Sequence, residues 1–215
     1  MKKFSLFMAA TLFFMIGCSN DDYNTELNHE SSEFILKYET ENTEFVVSVN
    51  EKIVEQYVLR YAGIEYSKNE VFENMFAISR SNIDYMTLTG SDNAYVDESE
   101  IDMALQAPEM CVASLPFSDE AKQKLMVFLN QKVDPSTDVS LLINDFTNSV
   151  RGDINLDENE KNIILIALQL SVAKGGEKDL EWVNTRGGIM AAVSGGVDSP
   201  AQAVLNAAVV TALTL

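Results

Sequence analysis

The sequence predicts a mainly α-helical protein, a small bundle of about five to seven helices. Three observations carry this. Apolar residues from residue 48 onward recur three and four apart, the spacing that lines one face of a helix. Ser, Thr or Asp followed three residues later by Glu stands at the head of several such stretches. The run Ile163 to Leu168, with Leu170 and Val172, is apolar almost all round, as a buried central helix requires. No stretch alternates long enough to make a convincing sheet, so contacts between sequence neighbours and a low contact order are expected.

In chain order, Glu33 to Val47 is ambiguous: Phe34-Ile35-Leu36 and Phe45-Val46-Val47 fit either a short N-terminal hairpin or a helix entry. Ser48-Val49-Asn50-Glu51 has capping-box form, and Ile53, Val54, Tyr57, Val58 and Tyr61 make a stripe that Gly63 stops. Ser67-Lys68-Asn69-Glu70 repeats the start signal before Val71, Phe72, Met75 and Phe76. Residues 80–96 read as a long loop, with Gly90, Ser91, Asp92 and Asn93 as turn formers. Asp97 opens a short helix that Pro108 ends. Pro116-Phe117-Ser118 leads a helix lined by Ala121, Leu125, Phe128 and Leu129. Asp134-Pro135-Ser136-Thr137 breaks the chain and caps the next, where Val139, Leu142, Ile143, Phe146 and Val150 form the cleanest amphipathic pattern. Asp157 to Glu160 caps the central helix, which Lys174 and Gly175 close. Trp182 docks a short segment beyond it.

Composition narrows the function. An apolar fraction of 47% supports a real core. The formal charge of −18 repels nucleic acid and anionic headgroups, so no nucleic-acid partner is expected.

The leader is informative. Lys2 and Lys3 precede the apolar run Phe4 to Phe14, too short to span a bilayer, which closes on Met15-Ile16-Gly17-Cys18 and turns polar at Ser19-Asn20-Asp21-Asp22. This stretch resembles a bacterial lipoprotein signal peptide, with Gly17 and Cys18 at the end of the lipobox and Met15 where Leu is usual. The resemblance implies lipidation of Cys18, cleavage after Gly17 and acylation of the new amine. The membrane partner would then be reached through that lipid anchor. Without residues 1–17, 13 basic residues face 33 acidic ones, a net charge of −20. The acidic residues after Cys18 resemble signals that send lipoproteins to the outer face of the outer membrane. The expected layout is a cleaved signal peptide (1–17), a flexible acidic tether (18–32), a helical domain (33–186) and a Gly/Ala/Val-rich helical tail (187–215). His29, the single histidine, falls in the tether and reads as solvated.

Several motifs compete with plainer readings. Cys111, the one thiol left once Cys18 is lipidated, sits in an apolar context and reads as buried filler. In the tail, small residues recur every fourth position from Gly187 through Ala191, Gly195, Ser199, Ala203 and Ala207, a ladder that lets helix backbones approach. Gly187, Ala191, Gly195, Ala203 and Ala207 are therefore candidates for self-association or membrane insertion, the alternative being packing on the domain's own core. Pro200 behind a Ser199 cap starts a second helical piece, so two pieces around a Gly195-Gly196 hinge are expected. At ~1.5 Å per residue that second piece reaches only ~22 Å, short of a ~30 Å hydrocarbon core.

Ser194-Gly195-Gly196-Val197-Asp198-Ser199 resembles the phosphate loop of PP-loop ATP pyrophosphatases, but that loop follows the first strand of a parallel sheet, which the helical residues after Pro200 do not build. Asp153, Asn155, Asp157 and Glu160 space oxygen ligands like the first half of a calcium loop. Yet Glu158 and Ile164 stand where an EF-hand has Gly and its last Glu, so they are weak candidates. Arg151-Gly152-Asp153 is an adhesion-type tripeptide of little specificity, and Asp92, Asp97, Glu98, Glu100 and Asp102 read as a solvated acidic face. No catalytic set and no cofactor motif is recognised. The leading expectation is a non-enzymatic, lipid-anchored envelope protein that binds or assembles with a protein partner. A membrane-active or self-associating tail is the alternative, with an enzyme of unrecognised type behind both.

Overall fold

The computed structural model describes residues 27–90, 94–132, 138–172 and 182–215, with side chains from residue 43 onward apart from Val172. Residues 1–26, including Cys18, lie outside it, as do 91–93, 133–137 and 173–181. The turn formers around Asp92, the break at Pro135 and the helix stop at Lys174-Gly175 therefore fall outside the described residues. The chain divides into residues 1–38 and residues 39–215. Of the first, residues 27–38 are described as helix; the core and every contact described below belong to the second.

Every described element is a helix. α1 (Leu27–Tyr61) decides the ambiguous stretch Glu33 to Val47 for helix over hairpin, and it also begins inside the stretch read as tether. Glu39 to Glu44 contains no Gly or Pro to turn the chain, and Val46, Val49, Ile53 and Tyr57 continue one helical face, all buried. Ser48, read from sequence as a cap, is mid-helix and its hydroxyl donates back to the Phe45 carbonyl at 3.0 Å. The stop falls where expected, with Gly63 at φ +81°.

α2 (Lys68–Ser81) starts on the capping box read from sequence: Ser67 Oγ accepts from the Glu70 N–H, and the Ser67 N–H donates to Glu70 at 2.8 Å. The stretch read as a loop holds α3 (Ile83–Thr89), because Asn82 ends α2 and caps α3, its side chain accepting from the Asp84 and Tyr85 N–H groups. α4 (Glu98–Gln106) is capped by Asp97 as expected. Pro108 ends it and also opens α5 (Pro108–Ser114), proline being well suited to the first helical position. α6 (Asp119–Leu129) follows the Ser118 cap. α7 (Val139–Arg151) is capped by Asp138, one residue beyond the string expected to cap it. α8 (Glu158–Val172) is followed, after the undescribed 173–181, by α9 (Trp182–Asp198) and α10 (Pro200–Leu213). Trp182 thus begins a long helix rather than pinning a short segment.

The ten described helices exceed the five to seven expected. α3 and α5 are the short pieces that periodicity merges, whereas the start of α10 at Pro200 behind the Ser199 cap falls where the sequence places it.

The centre of the bundle is α10, not α8. Ala201 through Ala212 are buried without a break, whereas Leu165 and Ile166 of α8 are only half-buried. α10 packs against α2, α3, α4, α8 and α9, and α9 also touches α4, α5 and α8. A helix apolar on every side satisfies its surface only by being surrounded. Not every contact is local, since α2 and α3 meet a helix over a hundred residues later. Two buried amides lock this arrangement. Gln202 exchanges hydrogen bonds with the backbone of Tyr95, 107 residues away, at 3.1 and 2.6 Å. It donates also to Asn206 (2.8 Å), which donates to the Ala191 carbonyl of α9 at 3.2 Å.

Candidate functional site

The residues singled out in the sequence are mostly structural. Gly187, Ala191, Gly195, Ala203 and Ala207 are all buried among the chain's own helices. A Cβ on Gly187 would lie 2.8 Å from Leu105 Cδ2 of α4. One on Gly195 would lie 2.7 Å from the Gln202 carbonyl oxygen of α10. The small-residue ladder serves intramolecular packing, the alternative to self-association or insertion. No helix among the described residues is long and apolar enough to cross a membrane.

The expected Gly195-Gly196 hinge is absent as well, α9 running straight through both glycines to Asp198. The break is Ser199 alone, whose side chain accepts from the Gln202 N–H. The string resembling a phosphate loop is therefore the end of one helix and the cap of the next, with both glycines pressed against α10 or α8.

The calcium candidates do not converge. Asp153 pairs with Lys124 and accepts from the Asn155 N–H at 3.1 Å, and the Lys124 hydrogen bond is the main reason its carboxyl is held below the usual range. Asp157 caps α8 by accepting from Asn159 N–H at 2.8 Å. Glu160, buried, accepts from the Ser118 N–H (2.5 Å) and Oγ (2.9 Å) and from the Asp157 N–H (3.4 Å), joining the starts of α6 and α8. No group of three His, Cys, Asp or Glu among the described residues is placed to hold a metal ion.

The acidic stretch is more engaged than a solvated face. Asp97 is a cap, Glu98 and Asp102 both pair with Lys68, and Glu100 accepts a hydrogen bond from the Ser194 hydroxyl of α9. Burial pushes the Glu100 carboxyl up, the Ser194 hydrogen bond opposes this, and Asp198 and Asp97 add to it. Cys111 is the buried filler its context implies, and desolvation raises its thiol to about 11. Arg151-Gly152 ends α7, with Gly152 as its C-cap.

A recess with the dimensions of a binding site lies between α6 and α7. In α6, Ala121, Leu125, Phe128 and Leu129 turn inward, which sets Glu120, Gln123, Lys124 and Val127 along one flank, with Gln131 just beyond. In α7, Val139, Ile143, Phe146 and Val150 turn inward and Leu142, Asp145 and Ser149 face the same recess. Phe128 and Phe146 meet across the seam with ring centroids 3.9 Å apart and planes 7° from parallel, and the Trp182 ring stands edge-on to Phe128 at 5.3 Å. The Phe128–Phe146 and Lys124–Asp153 pairs show that the two helices run antiparallel. The rings act as spacers and leave an open groove of 580 Å³, within the ~300–1,000 Å³ typical of ligand sites. Arg186 braces it from behind, donating to the Leu129 carbonyl at the end of α6 (3.2 Å) and to Glu109 (3.1 Å).

Of the groove residues the sequence singles out only Asp153 as a site candidate, for metal and within the Arg151-Gly152-Asp153 tripeptide. The signal that could have found the rest is the spacing of a second α6 stripe, residues 120, 123, 124, 127 and 131, which lies beside the buried one. The partner of that stripe is set by tertiary packing. No family model, curated protein or solved structure matches this chain. The fold and groove define an all-α domain with an open helix–helix recess.

Proposed function

We propose that this chain is a lipid-anchored cell-envelope protein whose helical domain binds or assembles with a partner rather than turning over a substrate. The observation that carries the anchor is Met15-Ile16-Gly17-Cys18 closing the apolar run Phe4 to Phe14. Two acyl signals suffice for stable membrane attachment, and a mature lipoprotein has them. Ser19-Asn20-Asp21-Asp22 favours the outer membrane and its outer face. The α6–α7 groove supports the binding role, being open, lined by exposed Val127 and half-buried Leu142 above two buried aromatic rings, and rimmed by groups suited to holding a ligand.

Growth with labelled palmitate should mark the protein, and Cys18→Ser should abolish both the label and its recovery with membranes. Retention of Cys18→Ser in the membrane fraction sinks the anchor. Protease added to intact cells should degrade the protein if it faces outward; full protection removes the surface assignment.

A further inference from the structure

We infer that the α6–α7 groove is the seat for a basic amphipathic peptide segment of another protein, an inference that rests on the binding role proposed above. The first ground is charge. Glu120 and Asp145 are exposed carboxylates on opposite walls of the groove, and neither has an ion-pair partner among the described residues. Lys124, the one cation among the described residues lining the groove, is held by Asp153. The groove therefore presents two uncompensated negative charges, on a chain that is itself at −18.

The second ground is shape. Helices of 11 and 13 residues frame a trough about 16–20 Å long, the span of three helical turns. Its apolar part is Phe146 and half-buried Leu142 on one wall and Val127, 63% exposed, on the other. An exposed valine beside an aromatic floor gains by being covered, which is how a helix lays its apolar face into a groove. Gln123, Gln131 and Ser149 supply hydrogen bonds along the edges. A peptide with Leu on one face and Lys on both borders satisfies the floor and both carboxylates together. A small polyamine satisfies only the carboxylates.

The test uses the full chain carrying Cys18→Ser, so that no lipid competes for the probe, and a 14-residue Lys/Leu amphipathic peptide. Trp182, the single tryptophan, stands edge-on to Phe128, a groove-lining residue, and reports binding by its fluorescence. Saturable binding is expected, with no response to a Glu/Leu peptide of the same pattern. Glu120→Lys with Asp145→Lys should weaken it about tenfold, as the loss of two modest ion pairs predicts. Val127→Ser should weaken it about threefold through lost apolar burial. The matched control Glu55→Lys with Glu73→Lys, on exposed positions of α1 and α2, should change it less than about twofold.

Absence of binding overturns the inference. So does equal weakening by the control pair, which would reduce the attraction to net charge. Displacement by spermidine together with indifference to Val127→Ser would assign the groove to small cations instead. None of these outcomes depends on whether the native protein is lipidated, so the anchor stands or falls separately.

Discussion

The α9–α10 hairpin and the α6–α7 pair solve the same problem, the meeting of two antiparallel helices, in opposite ways. Between α9 and α10 the facing residues are glycines, alanines and two amides, so the backbones close to the point where no Cβ fits at Gly195. Between α6 and α7 two phenylalanines face each other and hold the helices apart, leaving an accessible trough. Residue size at the seam decides which pair becomes interior and which keeps a surface free for a partner.

The largest expected effect comes from removing the spacer. Phe128→Ala should cost about 3–5 kcal/mol, the range for truncating a fully buried aromatic, measured by chemical denaturation; a loss below about 1 kcal/mol would mean the rings are not what separates α6 from α7. Next is the opposite operation on the closed pair. Gly195→Ala should cost about 1–3 kcal/mol, because the atom in the way is a backbone oxygen that cannot swing aside. Gly187→Ala should cost less, since its nearest obstacle is the end of the Leu105 side chain and replacing glycine in a helix returns about 0.5–1 kcal/mol. Equal losses at the two glycines would show that close approach is not the controlling variable.

A smaller effect concerns the α4–α9 contact. The folded-state pKa of Glu100 lies above the ordinary 4.5 because of burial, with Asp198 and Asp97 adding to it. Folding therefore favours its protonated form. Its charge costs nothing well below pH 4.5; the cost grows as pH rises from there to the raised folded value and levels off above it. Glu100→Gln should match the wild type in acid and be the more stable protein at pH 7–8, the gap opening as pH rises. A gap that is the same in acid as at pH 7–8 would refute it. The smallest expected effect is Val127→Ser, within about 0.5 kcal/mol in stability because the side chain is exposed. A larger loss would mean Val127 belongs to the core rather than to a docking surface.

Helix faces were legible where cap and period agreed. Ser67 with Glu70, Asp97, and the stripe Ala121-Leu125-Phe128-Leu129 stand in the structure as their spacing implies. Legibility failed at punctuation with two meanings. Asn82 ends one helix while capping another, Pro108 follows the end of one helix and is the first residue of the next, and Ser48 satisfies itself inside a helix. The central position of α10 was hidden by its small residues, which suit association between chains as well as burial within one. Glu160 looked like a ligand because a carboxylate that collects three donors from two helix starts has the residue type and spacing of a metal site. The groove could not be read at all, being a property of two flanks that only packing brings together.

The late position of α10 bears on how the chain is made. The inner faces of α2 and α3, with Val71, Met75, Ile78 and Tyr85, are covered by a helix synthesised after α4 through α9. Until that helix is made, the earlier segments have helical propensity but lack the helix that completes their core. The core closes only with Ala201 to Ala212 in place, so the last helix of the described chain is also the one that the earlier helices share.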